Sequence, residues 1–362
     1  MKAFVTGGTG FIGRHVIRKL LTRGYEVVAL VRSKESAAAL QMPGVLLIEG
    51  DITNKASMRA GMQGSDVVFH IAGWYKIGAR DWMEAETINV GGTRNVLSLA
   101  HELGVPKIIY TSTVAVFGDT HGELVDETYE GSGPFLSEYN RTKWLAHYKV
   151  ALPLMQRGAP IIIVMPGGVY GPEDTSIIAD MMFRFNKGQL PVVPGADTLL
   201  TYAHVEDIAE GHILAAEKGK IGESYILAGP AIPLGEMIDY WADLLGRRRP
   251  PHISSTYVRP LAPVVGTLNH ALGLSAFYSE ETIRNLGAAQ LGRADKARAQ
   301  LGWKTRPLDA GMRETLTWAG QMSQAQPLVL NEQQKQVAKI ALIAAAVLFI
   351  LWLFGRKRRN TE

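Results

Sequence analysis

Apolar and polar positions in the first half of the chain follow two alternating periods. KAFVTG, EVVALVR, VLLIEG, DVVFHIAG, KIIYTSTVAVFG and IIIVMPGGVYG are short, nearly continuous apolar runs. Runs of that length, rich in Val and Ile, read as strands buried on both faces. Between them FIGRHVIRKLLTRG, MEAETINVGGTRNVLSLAHELG and SEYNRTKWLAHYKVALPLMQRG carry apolar residues near a 3.6-residue spacing and stop at glycine. Those are amphipathic helices with glycine terminators. Strand and helix in succession predict an α/β fold with a doubly wound parallel sheet.

Beyond about residue 170 the rhythm loosens, and GPEDTS, LPVVPGADT, GRRRPPHISS and LGLSAFYSEE mark loops and helix starts. A first unit over 1–166 is expected, with a helix and strand returning to it near 203–229 in HVEDIAEGHILAAEKG and GESYILAG. Residues 167–202 and 230–320 are expected to form a smaller mixed α/β lobe. The glutamine-rich segment 321–336 reads as a linker. Residues 337–355 are apolar on every side apart from Lys339. At about 1.5 Å per residue they span about 28 Å, close to the roughly 30 Å hydrocarbon core of a bilayer. They are expected to be a C-terminal apolar helix that spans or anchors to a membrane. Lys335 and Lys339 precede its uncharged part, Ile340–Gly355, and the basic tail 356–362 follows, so the positive-inside rule would keep both ends on one side; a re-entrant or interfacial segment is the alternative.

Composition narrows the picture. The 362 residues are enough for two packed units. The chain has no cysteine, which excludes disulfides and thiolate metal sites. Its nine histidines form no H-x-x-x-H pair, and no metal is expected. The net charge of +4 is small, and part of it sits in Arg356, Lys357, Arg358 and Arg359, so no nucleic-acid surface is implied. Met1-Lys2 runs directly into Ala3-Phe4-Val5 with no secretory signal, which places the folded part on the cytoplasmic side of a membrane as an expectation.

Gly7, Gly10 and Gly13 fall between the first strand and the first helix. There the first permits a tight turn, the second lets the backbone approach a pyrophosphate, and the third lets helix and strand pack closely. Thr9, Phe11 and Ile12 complete this expected dinucleotide cradle. At the end of the second strand, where an acid would bind the ribose of NAD, stand Arg32, Ser33 and Lys34. A guanidinium matches a 2′-phosphate, so NADP(H) is the preferred cofactor, with NAD(H) open through the nearby Glu35. Asp51 and Ile52 are expected beside the adenine, and Ala72 and Gly73 along the cofactor after the fourth strand.

Tyr139 and Lys143 lie on one face of a predicted helix at i, i+4. Reduction of a ketone needs a proton delivered to the developing alkoxide, and a phenol tuned by an ammonium can supply it. A Ser or Thr hydroxyl from the strand end YTSTVAVFG would hold the substrate oxygen.

TGGTGFIG, the Asp51 turn, HIAG, INVGGTRNVL, YTSTVAVFG, YNRTK and PGGVYGP stand in an order that resembles the extended short-chain dehydrogenase/reductase family, also called the NAD(P)-dependent epimerase/dehydratase superfamily. The resemblance covers about residues 1 to 320. It implies a Rossmann domain with a substrate-binding lobe, Tyr139 as acid/base, and Lys143 bonding the nicotinamide ribose while lowering the Tyr139 pKa. It also implies Thr113 as the catalytic hydroxyl with Ser112 close by, and the turn Pro166-Gly167-Gly168-Val169 near the nicotinamide. ALVRS and HVEDIAEGHILAAEKGKIGESYILAG are similar to the dihydroflavonol-reductase-like branch.

The expected protein is therefore an NADP-dependent reductase or dehydrogenase interconverting a ketone and a secondary alcohol, on a substrate that is lipophilic or made at the membrane. A nucleotide-sugar epimerase or dehydratase with retained NAD is the alternative, and a non-catalytic cofactor-binding protein is a third. A homodimer is compatible with these readings. His204, before Asp207, is expected to anchor the returning helix, and Arg247, Arg248 and Arg249 to form a basic helix end. Trp74 and Tyr75 are expected either at the substrate pocket or in the core.

Overall fold

The computed structural model describes residues 1–78, 82–131, 133–272 and 279–325. The early apolar runs form β1 (Lys2–Thr6), β2 (Glu26–Val31), β3 (Val45–Glu49), β4 (Val67–His70), β5 (Ile108–Thr111) and β6 (Ile161–Pro166). Further along come β7 (Gly168–Tyr170), β8 (Val193–Pro194), β9 (Leu199–His204), β10 (Ser224–Leu227), β11 (Ala231–Pro233) and β12 (His252–Ile253). A seven-stranded sheet in the order β10-β6-β5-β4-β1-β2-β3 forms the first unit, with every pair parallel. Its strand order reverses between β1 and β4, which opens a crevice at their C-terminal ends. Residues of β4, β5 and β6 are buried throughout, because helices cover both faces of the sheet.

The helices are α1 (Phe11–Thr22), α2 (Lys55–Met62), α3 (Met83–Glu86), α4 (Thr93–Glu102), α5 (Glu138–Trp144), α6 (Leu152–Gln156), α7 (Ile177–Asn186), α8 (Val205–Lys218), α9 (Leu234–Leu244), α10 (Ser255–Val258), α11 (Ala262–Leu272), α12 (Glu280–Leu286) and α13 (Leu308–Ala325). Helix α1 buries Val16, Ile17 and Leu20, spaced to share one face, and the chain leaves it through Gly24 at φ +75°. It packs with α8 on one face of the sheet, in a core with Val5, Ala29 and Phe69. On the other face lie α2, α4 and the α5–α6 segment, around Phe4, Val68 and Ile163. A third core, built on Tyr170, Tyr202, Trp241 and Met312, holds β7 and β9 against α7, α9 and α13. There β9 runs parallel to β7 and antiparallel to β11.

The structure departs from the sequence pattern at four places. IIIVMPGGVYG is two strands in two sheets, β6 and β7, which part at Gly167. In KIIYTSTVAVFG the strand stops at Thr111, because the Thr113 hydroxyl accepts the Ala115 N–H at 3.1 Å and caps a 3₁₀ turn over Val114–Phe117. Two of the three helical runs contain a π-turn, Thr87–Gly92 joining α3 to α4 and Leu145–Ala151 joining α5 to α6. Lastly, α13 extends through Ala325 into the segment read as a linker. Leu316 and Ala319 are buried against the third core, and glutamine propagates a helix well. The expected apolar helix at 337–355 and the basic tail lie outside the described residues.

Candidate functional site

A cleft of ≈ 680 Å³ opens where the strand order reverses and continues between the sheet and the second lobe. Its floor begins at the turn after β1. Gly7 has φ +77°, and a Cβ there would sit 2.5 Å from the Ala72 nitrogen; a Cβ on Gly13 would sit 2.1 Å from the Gly7 oxygen. Both therefore need glycine, the first also for its left-handed backbone. Gly10 precedes the first residue of α1, and a Cβ on it would meet only the Gly7 oxygen at 3.2 Å, leaving its outer side open. No side chain caps α1 and no acid lies in its first turn, so the N–H groups and positive end of the helix face the cleft. That cradle fits a dinucleotide pyrophosphate. Thr9, Phe11 and Ile12 line the same region, as do Asp51, Ile52, Ala72 and Gly73. Asp51 Oδ1 accepts the Thr53 N–H at 2.8 Å, which fixes the turn beside Ile52.

Of the three residues expected at the ribose corner, Arg32 lines the cleft and Ser33 and Lys34 do not. Arg32 is exposed and has no hydrogen bond or ion pair among the described residues. The Ser33 hydroxyl donates to Glu35 at 2.6 Å, and the Lys34 N–H donates to Glu49. Glu35 thus turns to Ser33, which holds its carboxyl below the usual range.

At the centre of the cleft stand Thr113, Tyr139 and Lys143. Helix α5 starts at the Ser137 hydroxyl, which accepts the Asn140 N–H at 3.2 Å and so aims Tyr139 in the first turn at the strand ends. The Tyr139 ring is partly open to the cleft, but its surroundings exclude bulk water and push the phenol up to about 12; a hydrogen bond with Thr113 opposes that rise. The buried Lys143 ammonium donates to the Thr111 carbonyl at 2.8 Å and lies 5.0 Å from the Tyr110 ring centre. Burial brings it down to about 7. Pro166 and Val169 border the same space.

Ser112 and Thr113 separate here. The Ser112 hydroxyl bonds His147 Nδ1 at 2.8 Å inside the protein, whereas Thr113 faces Tyr139. His147 is brought down to about 3 by burial and by Lys143, so it is neutral. His70 is held at a similar value between the Thr6 and Thr93 hydroxyls, at 2.8 and 3.0 Å. These buried imidazoles fix the strand ends and present no charge.

Residues outside the expected catalytic and cofactor set complete the walls. Asn89, in the π-turn, accepts the Trp74 N–H at 2.7 Å and donates to the Trp74 carbonyl and the Thr142 hydroxyl. It clamps the loop after β4 to α5. The Tyr75 ring then meets Tyr139 edge-on at 4.9 Å. Trp74 is buried, while Tyr75 is open to the cleft. Asn140 donates to the Ala115 carbonyl and to Gln290, reaching into the second lobe. In the outer half of the cleft Ile177, Ile178, Met181, Leu200 and Leu286 supply apolar walls.

Two sequence expectations elsewhere resolve as structural. His204 accepts the Glu206 N–H at 3.2 Å and caps α8. Arg247 donates to the Phe185 and Asn186 carbonyls, closing the C-terminus of α7, and Arg249 pairs with Asp243.

A parallel sheet with a glycine turn under a cleft, and a phenol and an ammonium at its centre, is the apparatus of an NAD(P)-dependent oxidoreductase of the extended short-chain class. The chain belongs to the NAD dependent epimerase/dehydratase family, whose model matches residues 3–228. It is 30% identical to a 4-hydroxy-2-methyl-3-oxo-4-farnesyl-3,4-dihydroquinoline-1-oxide ketoreductase of Stigmatella aurantiaca, over 90% of this chain and 98% of that one. It is 28% identical to sterol demethylase protein B of Methylococcus capsulatus, over 88% and 98% respectively. Among solved structures, the dTDP-glucose 4,6-dehydratase DesIV of Streptomyces venezuelae, with NAD and TYD bound, shares the fold at a TM-score of 0.74 and 20% identity, over 90% of this chain and 99% of that one.

Proposed function

We propose that the protein is an NADPH-dependent reductase that converts an apolar ketone to a secondary alcohol, with Tyr139 as proton donor. The observation that carries this reading is the charge of the cleft. Among its described lining residues the only cations are Arg32 at the ribose corner, Lys143 at the centre, and Lys76, which pairs with Glu84 at 3.3 Å. A nucleotide sugar would bring a diphosphate into the outer half, where no arginine lines the described wall and aliphatic side chains prevail. An apolar substrate loses nothing by desolvation there. The names of the farnesyl-quinoline ketoreductase and the sterol demethylase protein agree with such a substrate.

The nicotinamide, when bound, supplies the hydride. Thr113 and Tyr139 hold the carbonyl oxygen. With its pKa near 12, the Tyr139 phenol is protonated at neutral pH and gives up its proton as the oxygen becomes an alkoxide. Lys143, positioned by Thr111, stabilises the phenolate left behind. Arg32, free of any carboxylate, suits a 2′-phosphate. The apolar segment 337–355 would hold the enzyme at a membrane, where a lipophilic ketone is concentrated.

Incubation of the full chain with NADPH and a panel of acetophenone, a long-chain methyl ketone, a steroid ketone and UDP-glucose tests the proposal, with oxidation of the reduced cofactor followed by absorbance. Turnover of one or more apolar ketones is expected. Conversion of UDP-glucose with a tightly retained NAD, and no ketone turnover, would establish the epimerase reading instead.

A further inference from the structure

We propose that Glu281 is a positioning residue for this reaction, a carboxylate strut that sets Tyr139 relative to the substrate-lobe helix α12. The proposal rests on Tyr139 as the proton donor. Glu281 Oε1 accepts the Glu138 N–H at 2.8 Å, and Oε2 accepts the Gly78 N–H at 2.6 Å. Glu138 is the first residue of α5 and the residue before Tyr139. Its N–H is one of the donors that a helix start leaves without a partner inside the helix. The Ser137 hydroxyl takes the Asn140 N–H, and the Glu138 N–H goes to an acid 143 residues away in sequence. The start of the catalytic helix is therefore capped half by its own chain and half by the other lobe.

Gly78 lies on the loop after β4 that also carries Tyr75, whose ring lies edge-on to Tyr139. Both carboxylate oxygens are used, and bonds to an ionised acceptor are roughly twice as strong as neutral ones. One rigid group thus holds α12, the loop after β4 and the N-terminus of α5 at fixed separations. A second polar chain runs parallel to it. Asn140 donates to Gln290 at 3.0 Å, Gln290 donates to Asn285 Oδ1 at 3.1 Å, and Asn285 donates to the Glu281 carbonyl at 2.8 Å. Helix α12 itself presents Thr282, Asn285 and Leu286 to the cleft. A substrate seated against α12 is consequently registered to the phenol without passing through a flexible connection. Glu281 does not line the cleft, so its effect is through Glu138 and Gly78 and not by contact with the reacting atoms.

A carboxamide has one acceptor oxygen, so Glu281→Gln leaves one of the two N–H groups facing an NH₂. Glu281→Asp keeps the charge but is too short to reach both. With a ketone of the panel that the wild type reduces, both variants are expected to lose about tenfold or more in kcat, since small misplacements of a reacting group are expensive. Their affinity for NADPH, measured by fluorescence titration, should stay within about twofold, because the pyrophosphate cradle is untouched. Turnover is expressed per NADPH-binding site, which removes any unfolded fraction. Wild-type kcat in both variants overturns the proposal, as does a loss of turnover fully accounted for by lost NADPH sites. Tyr139→Phe runs alongside. If it keeps near-normal turnover the proton-donor assignment fails; if it is inactive while Glu281→Gln is unaffected, only the strut fails.

Discussion

Lys143 donates to the carbonyl oxygen of Thr111 across 2.8 Å, and this single bond fixes a buried ammonium at the end of β5. Burial has brought its pKa down to about 7, so the charge is lost as pH rises through neutrality. If that charge is needed beside the Tyr139 phenolate, kcat/KM for ketone reduction should fall above about pH 7, since this parameter follows the free enzyme. Arginine stays charged at every working pH. In Lys143→Arg, residual activity should show no such limb between about pH 6 and 9; the same limb in the variant would assign it to another group.

The two neighbouring hydroxyls make separable predictions. Thr113→Ala removes the group that faces Tyr139, and kcat should fall about 10²-fold or more with NADPH affinity little changed. Ser112→Ala removes the partner of His147 instead. It should lower stability by about 1–3 kcal/mol, the cost of an unsatisfied buried imidazole nitrogen, while activity at low temperature survives. Urea unfolding together with kcat measured for both variants checks the assignment. Equal losses of kcat would mean that Ser112 also reaches the substrate.

Arg32, the proposed ribose-corner residue, follows β2 at the edge of the cleft without a carboxylate partner among the described residues. One charge-assisted interaction with a 2′-phosphate corresponds to a preference of roughly tenfold to a hundredfold for NADPH over NADH. Arg32→Ala should erase most of it by weakening NADPH alone. Equal wild-type affinities for the two cofactors at matched ionic strength would refute the assignment.

Asp174, in the loop before α7, is buried, and its carboxyl is pushed up to about 6 by desolvation, against hydrogen bonds from Ser176 and Thr175. A folded-state pKa above the unfolded value means that the protonated form is the better fit. Its contribution to stability is full below about pH 4 and is lost as pH rises through 6, a change of about 3 kcal/mol. Asp174→Asn keeps an acceptor for the Ser176 N–H and carries no charge. It should match the wild type near pH 4 and exceed its stability at pH 8, by urea unfolding at about pH 4 and 8. A difference independent of pH would remove Asp174 as the source.

The apolar segment 337–355 predicts that the full chain sediments with membranes and stays there through a high-salt wash, because burial of its apolar surface outweighs the screened attraction of the basic tail. A chain ending at Gln336 should be released as a folded, NADPH-binding protein. Full-length protein in the soluble fraction would contradict the anchor.

The parallel sheet was legible because its central strands carry uninterrupted Val and Ile, and because Gly7 and Gly13 must be glycine where backbones touch. Tyr139 and Lys143 were legible because their spacing is local. Glu281 and Gln290 were not, since each meets α5 across more than a hundred residues of chain and neither sits in a patterned stretch. The resemblance singled out Thr113, but the bond that turns Ser112 away from it was not legible, since His147 lies on the π-turn after α5. Strand length misled at Thr113 and Gly167 because apolar runs continue past the point where hydroxyls or a change of sheet end the ladder.

The π-turn at Thr87–Gly92 holds one residue more than an ordinary helical turn needs, and Asn89 sits within it. Deleting a single residue there would let the segment close into a regular α-helix and change the direction of the side chains within the turn itself. Asn89 would then leave Trp74 and Thr142, and the wall beside Tyr139 would come loose with Thr113, Tyr139 and Lys143 all still present. In a lineage of such enzymes, a change of length at this turn could silence the site while the motifs that advertise it remained intact.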